Sequence, residues 1–555
     1  MSTFDRTVDA VVVGSGAAGM VTALTAREHG LRPVVVESAS LLGGNSAISG
    51  GGLWIPDNHV ARHAGSTDSY EEARTYLDLC VGDVGPSSSP ERRHAFLKRG
   101  PELVRWLETL GMRWVYARGY ADYYPERPGG KAEGRAIEGR KYDLNRLGKW
   151  ADSLRFSVRA IPLYTTEASK LALSMRTWEG FTTAARVIGL EATLPRLVGR
   201  HLVGLGNGLM GPLLELSLKR EIPLWLDSPM EELLVEGGRV VGVSIRRGGQ
   251  LIRVGATHGV MLASGGFEKN SAMRQQYQEA PISDAWTSGT DGNTGHPIEA
   301  ARRAGAALAL MEDAWWGPTM LTPGTNAPQF MLWERSLPFG FIVASDGKRF
   351  LNESESYVDA GHHQYQKHRE VPAIPAWLVM DSRHRQYYPF GSTMPGASGT
   401  RKLVQSGAVL EGRSLEELAG KMAIDPAALL LTAARFNGFA RTGQDLDYHR
   451  GDSAYDRVYS DPRVAPNPNL GAVDRPPYYA ARVYPGDLGT KGGILTDEFA
   501  RALRDDGSII EGLYAAGNAS ASVMGHTYPG PGSTLGPAVV FGYLGGLHLA
   551  GRAQA

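Results

Sequence analysis

The run Gly14-Ser15-Gly16-Ala17-Ala18-Gly19 is where residue type and spacing first imply chemistry. The apolar stretch VDAVVV (8–13) precedes it. MVTALTAREHG follows with helical periodicity, Gly30 punctuates, and LRPVVVE then ends on Glu37. Strand, glycine turn, helix, second strand and terminal acid together spell the βαβ unit that cradles a dinucleotide. Gly14 permits the tight turn and Gly16 lets backbone approach a pyrophosphate. Gly19 lets helix and strand pack closely, and the helix start at Ala17 and Ala18 favours the phosphates. Glu37, with Ser38 beside it, would accept ribose hydroxyls.

A second glycine-dense segment follows: Gly43-Gly44-Asn45-Ser46, then Ser49-Gly50-Gly51-Gly52. Here the chain resembles the fumarate reductase and succinate dehydrogenase flavoprotein superfamily, whose matching segment runs under a flavin. Two further stretches fit that resemblance. GVMLASGGFEKN (259–270), with Ala263, Gly265 and Gly266, reads as a strand crossing back over the adenosine side. GLYAAGNAS (512–520), with Gly517 and Asn518, reads as a strand returning to the flavin. Some members attach FAD to a histidine of the second segment. Residues 40–55 contain none, so non-covalent FAD is expected.

Five stretches narrow the resemblance: GYADYYPERPGG (119–130), DAWWGP (313–318), RFLNESESY (349–357), PGDLGTKGGI (485–494) and GNASASVMGHTYPGPGSTLGPA (517–538). They look like the 3-ketosteroid dehydrogenases that desaturate ring A between carbons 1 and 2. The resemblance implies three catalytic tyrosines and one glycine amide, carried over to Tyr123, Tyr357, Tyr528 and Gly532; Tyr120 and Tyr124 flank the first. Desaturation beside a carbonyl needs the oxygen polarised, a proton taken from carbon 2 and a hydride accepted from carbon 1. Tyr528 and the Gly532 amide would polarise the oxygen. Tyr357 would be the base, helped by Tyr123 because a free phenol has a pKa of about 10. Ser533-Thr534-Leu535 opens an apolar helix whose start would face the reduced flavin. Of Trp315 and Trp316, one is expected to line the steroid plane and one to pack. His526 reads as structural. Where many relatives carry Thr-Gly-Asp-Gly, this chain has Thr294-Gly295-His296-Pro297, a turn that the superfamily places near the flavin.

These residues must be held by more than one core. The chain has 555 residues, 42% hydrophobic and 21% charged, which suits two to four structural units. The expected fold is α/β: a Rossmann-like FAD-binding domain, 1–295 and 488–555, with an inserted α+β catalytic cap at 296–487. Within the first lies an insertion, 144–202, with nine Lys or Arg against four Asp or Glu. Trp150, Phe156, Tyr164, Trp178 and Phe181 interleave with its basic residues, as in ordinary packing helices or in amphipathic helices touching anionic lipid. Zero net charge gives no pointer to nucleic acid. Cys80 is the sole cysteine, too few for a disulfide, and reads as a core residue. No signal peptide is recognisable, so a cytoplasmic chain is expected, with peripheral membrane contact through 144–202 left open. Residues 514–550 carry no Asp, Glu, Lys or Arg, enough for a membrane span, but their prolines and glycines favour a loop and a buried helix. The same lack of Lys and Arg disfavours a dicarboxylate substrate, which needs convergent cations. The alternatives are a ketosteroid dehydrogenase acting at carbons 4 and 5, a fumarate reductase-like flavoprotein and a flavin-binding membrane-recruitment protein without turnover. The electron acceptor is open between a quinone, another carrier and oxygen.

Overall fold

A computed structural model describes residues 4–156, 161–322 and 328–552. Strands β1 (Arg6–Val13) and β2 (Pro33–Val36) run parallel, with Val13 opposite Val36, and helix α1 (Ala17–Glu28) crosses between them. Val11, Val12, Val34 and Val35 are fully buried, as expected where helices and sheet cover both faces of a parallel strand. On the other side of β1 lies the long β3 (Gln250–Leu262), parallel to β1, and beside it β4 (Ile509–Ala515), parallel to β3. The two stretches read as return segments are thus adjacent strands. The sheet runs 501–503, β4, β3, β1, β2, 224–225. The first half of β3 also pairs antiparallel with 239–247, which pairs with 230–236.

A second sheet comes from the middle of the chain, ordered 329–330, 314–320, 478–490, 376–380, 340–343, with 409–412 added to the long strand. Helix α2 (Tyr357–His368) packs on its 314–320 strand. Helix α3 (Leu535–Leu549) lies on α1, close enough for Thr22 Oγ1 to donate to the Gly542 carbonyl at 3.0 Å. A Cβ on Gly542 would fall 2.6 Å from the Ala18 carbonyl oxygen, so the two backbones touch there. This explains the charge-free 514–550 stretch: α3 is buried against α1. Among the described residues no helix is long and apolar enough to cross a membrane. Cys80 is buried, and burial pushes its thiol up to about 12.

The 144–202 insertion folds as short pieces: Leu144–Ser153, Thr165–Ala172, Trp178–Ala184, a π-helical turn at Ala185–Thr193, and Leu194–Leu197. Its residues 157–160, Arg159 among them, lie outside the described residues. Much of its basic charge is paired: Arg146 with Glu215, Lys170 with Glu179, Arg176 with Asp461, Arg186 with Glu167 and Glu191, Arg200 with Asp143.

Candidate active site

One cavity of about 1060 Å³ runs through the molecule. It exceeds a pocket for one drug-sized ligand (about 300–1,000 Å³), room for more than one bound molecule. At one end lie Gly14, Gly16, Ala17, Ala18, Glu37 and Ser38. Gly44, Asn45, Ser46, Ser49, Gly50 and Gly51 follow along one wall, Ala263, Gly265, Gly517, Asn518, Thr534 and Leu535 along others. Tyr123, Tyr357, Tyr528 and Gly532 line it too. Four residues expected at the cofactor stand behind this lining. Gly19 packs on the turn, where a Cβ would be 2.0 Å from the Gly14 oxygen. Gly43 gives its amide to Ser15 Oγ at 2.9 Å. Gly266 abuts Thr490. Ser533 closes the loop onto the Gly530 carbonyl at 2.7 Å. They shape the wall rather than present it.

The dinucleotide end fits the cofactor expected there. Gly14 has φ +103°, and a Cβ would meet the Ala263 carbonyl at 2.3 Å. Only glycine allows β1 to turn this close to β3. Helix α1 begins at Ala17 with no side-chain cap, leaving its first-turn amides for an anion; of these, Ala17 donates to Ser46 Oγ at 3.0 Å. The Glu37 carboxylate accepts from Ser15 Oγ at 2.6 Å and from the Ala39 amide at 3.0 Å. The Ser15 amide at 3.0 Å and the Ser38 hydroxyl at 3.2 Å complete two bonds at each oxygen, so a ribose hydroxyl would take the place of the longer Ser38 contact.

At the other end the tyrosines converge from three distant parts of the chain. Tyr123 Oη donates to Tyr357 Oη at 3.3 Å. The Tyr123 and Tyr528 rings stack with centroids 5.0 Å apart, and Tyr357 meets Tyr528 edge-on at 5.1 Å. The Tyr528 hydroxyl is 3.0 Å from Thr534 Oγ1, and Gly532 lies four residues on in the same loop. Tyr528 and Gly532 therefore line the cavity side by side. Gly532 has φ +95° and a Cβ there would be 2.4 Å from the Gly52 carbonyl, which fixes glycine at this position. Of the tyrosines at 120–124, only Tyr123 bonds to Tyr357 in this way; the Tyr124 hydroxyl donates to Asp359 at 3.0 Å instead.

Buried ionic groups hold these side chains. The Tyr123 amide donates to the Pro529 carbonyl at 2.9 Å, tying its loop to that of Tyr528. Next to it, Asp122 accepts from Trp54 Nε1 at 2.8 Å and pairs with Arg135, which also pairs with Asp68 at 2.7 Å. All three charged side chains are buried, so removing one leaves another unpaired and loosens the loop. Before Tyr357, Glu353 lies buried between Arg349 at 2.7 Å and Arg450 at 3.1 Å, with Arg349 also on Asp445. The Asn-Glu-Ser motif thus serves as the anchor from which α2 starts at Tyr357. Burial raises all three tyrosines above the ordinary phenol range. For Tyr357 the neighbouring Tyr528, Tyr120 and Tyr455 add to the rise and the Tyr123 hydrogen bond opposes it.

Neither tryptophan lines the large cavity. Trp315 backs Tyr528 edge-on at 5.3 Å and donates to Asn518 Oδ1 at 3.2 Å; Trp316 packs on Tyr365 and donates to Asp313 at 2.7 Å. The expectation that one of these two lines the steroid plane is corrected: both sit one layer back, and the aromatic lining is five tyrosines with Phe330 and Trp333. His526 pairs with Asp313 at 3.0 Å, alongside Lys491 and His362. His296 bonds the Glu231 carbonyl at 2.7 Å, at a stretch of wall built from Ser228–Glu231. Sequence reasoning passed over Tyr455, stacked on Tyr123 at 4.2 Å, and Tyr459, whose hydroxyl is 3.0 Å from that of Tyr120. The paired spacing in AYDRVYS (454–460) was the available signal. Among the described residues Arg155 is the single Lys or Arg of the lining, too little positive charge to hold a dicarboxylate.

Comparison with known proteins agrees with this geometry. A family model described as FAD binding domain matches residues 9–535. The 3-oxosteroid 1-dehydrogenase of Mycobacterium tuberculosis (strain ATCC 25618 / H37Rv) is 49% identical, over 98% of each chain. The chain belongs to the 3-oxosteroid 1-dehydrogenase family. The Mycolicibacterium smegmatis member is 47% identical over 99% of this chain and 98% of that one. The crystal structure of 3-ketosteroid delta1-dehydrogenase from Sterolibacterium denitrificans, in complex with 1,4-androstadiene-3,17-dione, superposes with a TM-score of 0.94 at 37% identity, covering 99% of this chain and all of that one. The fold is therefore an α/β FAD-binding architecture of this family, and the protein is an FAD-dependent oxidoreductase.

Proposed function

We propose that this protein introduces the 1,2 double bond into ring A of 3-ketosteroids. In this reading, residues 1–295 and 488–555 hold FAD without a covalent bond and residues 296–487 cap it. The carrying observation is the convergence of Tyr123, Tyr357, Tyr528 and the Gly532 amide on one wall of the cavity. The Tyr528 hydroxyl and Gly532 amide donate to the carbonyl oxygen at carbon 3, drawing charge off carbon 2 and acidifying its protons. Tyr357, as phenolate, takes the proton from carbon 2, and Tyr123 donates to that phenolate and holds it in place. FAD, when bound, supplies the acceptor for the hydride leaving carbon 1. The phenol rings and Phe330, 5.2 Å from Tyr357, give ring A an apolar slot whose polar groups would be the donors at its carbonyl and the Tyr357 hydroxyl at carbon 2.

Anaerobic mixing of the purified yellow protein with 4-androstene-3,17-dione should abolish the flavin absorbance band, and succinate should leave it unchanged. Bleaching by succinate alone would put the chain with the dicarboxylate enzymes.

The insertion supports a lipid contact as part of the same reading. Trp178 and Leu197 are 78% and 77% exposed, and Met175, Phe181, Leu190 and Val198 are exposed beside them. The same short helices turn Leu171, Ala172 and Ala184 into the cavity, and the exposed Ile188 also lines it. Its mouth therefore opens within an apolar surface, where a membrane-dissolved sterol would arrive. Because the segment's basic residues are largely paired, apolar burial supplies most of this attachment. Replacing Trp178 and Leu197 by Ser should lower the fraction floating with phospholipid vesicles and leave turnover of a water-dispersed short-chain steroid unchanged. Undiminished flotation would make these helices ordinary packing elements.

A further inference from the structure

The proton taken from carbon 2 has to leave Tyr357 before the next turnover, and the geometry points to Tyr120 and Tyr459 as the relay that carries it away. This rests on the assignment of Tyr357 as base. Four phenols form the path. Tyr123 Oη is 3.3 Å from Tyr357 Oη. The Tyr120 and Tyr123 rings are neighbours at 6.5 Å, and the Tyr123 hydroxyl, whose one proton points to Tyr357 in this arrangement, would turn toward Tyr120 to pass it on. Tyr120 Oη is 3.0 Å from Tyr459 Oη, and Tyr459 again borders the cavity. Tyr120 and Tyr459 are buried, and their hydroxyls bond to each other. Each buried hydroxyl needs a partner, and here the partners are other hydroxyls, which both give and accept protons.

The step balances without a further reactant. The C2–H bond breaks and its electron pair enters the new C1=C2 bond, while an O–H bond forms on Tyr357. Tyr357 then passes a proton to Tyr123, Tyr123 to Tyr120, Tyr120 to Tyr459, and Tyr459 to water in the cavity. Every oxygen in between gains one proton and loses one, and Tyr357 returns to phenolate. The charged groups acting on this path are Glu138 and Arg335 beside Tyr459 and Asp456 and Arg335 beside Tyr455. Tyr455 stacks on Tyr123 as a side branch. Steroid and cofactor would seal the face of Tyr357 that meets the cavity, which gives a path along the wall to Tyr459 its use.

The test uses the FAD-loaded enzyme with Tyr120→Phe and Tyr459→Phe, each of which keeps its ring and loses one oxygen. In both, FAD content and steroid affinity should match the wild type. The kcat should fall by roughly tenfold, the rate equivalent of one hydrogen bond. Its solvent deuterium isotope effect should grow. A packing role would instead lower FAD content or melting temperature and leave the isotope effect alone. If both variants keep the wild-type isotope effect while Tyr357→Phe is inactive, the relay is overturned and the base stands. If Tyr357→Phe itself turns over normally, the base assignment fails first.

Discussion

Tyr357→Phe should stay yellow, folded and able to bind steroid, and lose turnover by about a hundred- to ten-thousand-fold, the usual contribution of a positioned base. The substitution removes one oxygen and keeps the ring that packs against Phe330 and Tyr528, so neither core nor cofactor site has cause to change. FAD absorbance, steroid binding and kcat measured on one preparation separate the two effects; retained turnover would put the base elsewhere. The pH dependence follows from the same residue. Burial first, then the neighbouring Tyr528, Tyr120 and Tyr455, hold the Tyr357 phenol well above its ordinary range, and the Tyr123 hydrogen bond works against them. The base acts only as phenolate, so its active fraction grows as pH rises, and kcat/KM should climb from neutral into alkaline pH. Tyr123→Phe removes the stabilising donor and should displace that climb upward.

Local backbone requirements were legible in the sequence; pairings between distant segments were less so. Gly14, Gly16 and Glu37 announce themselves because strand, turn and helix lie within thirty or so residues and each glycine answers a local constraint. Gly19, Gly43, Gly266 and Ser533 belong to the same motifs but do their work one layer behind the cavity, and a motif does not say which of its members faces a ligand. Tyr123 could be singled out from Tyr120 and Tyr124 only by resemblance. The structure distinguishes them by partners some 230 residues away, Tyr357 for one and Asp359 for another. Tyr455 and Tyr459 sit at a single 3-10 turn, Asp456–Tyr459, where one pair at this spacing is too short a pattern to name its partners, so their place beside Tyr123 and Tyr120 appears only in the folded chain. The charge count of the 144–202 insertion misled in a similar way. A sum over residues does not reveal that Asp461, Glu215 and Asp143, outside or at the edge of the segment, neutralise its arginines.

Tyr528→Phe carries the second large expected effect and examines the other half of the chemistry. As charge develops on the carbonyl oxygen, a donor already in place is worth far more than one that must be drawn from water, and removing one such donor costs about a hundred- to a thousandfold in kcat. In this site the surviving donor would be the Gly532 amide, held by the left-handed turn at Gly532 and by the Trp54 amide donating to the Gly532 carbonyl at 3.2 Å. The variant should therefore be slow rather than dead, with a residual rate above that of a site lacking both donors. Its phenyl ring can keep the stack on Tyr123 and the edge contact with Trp315, so FAD content and melting temperature should not move. A loss confined to FAD content would place Tyr528 at the cofactor and remove it from the carbonyl. A loss confined to KM would mean that its hydroxyl grips the ground-state ketone as strongly as the transition state, leaving the acidity of carbon 2 to the Gly532 amide.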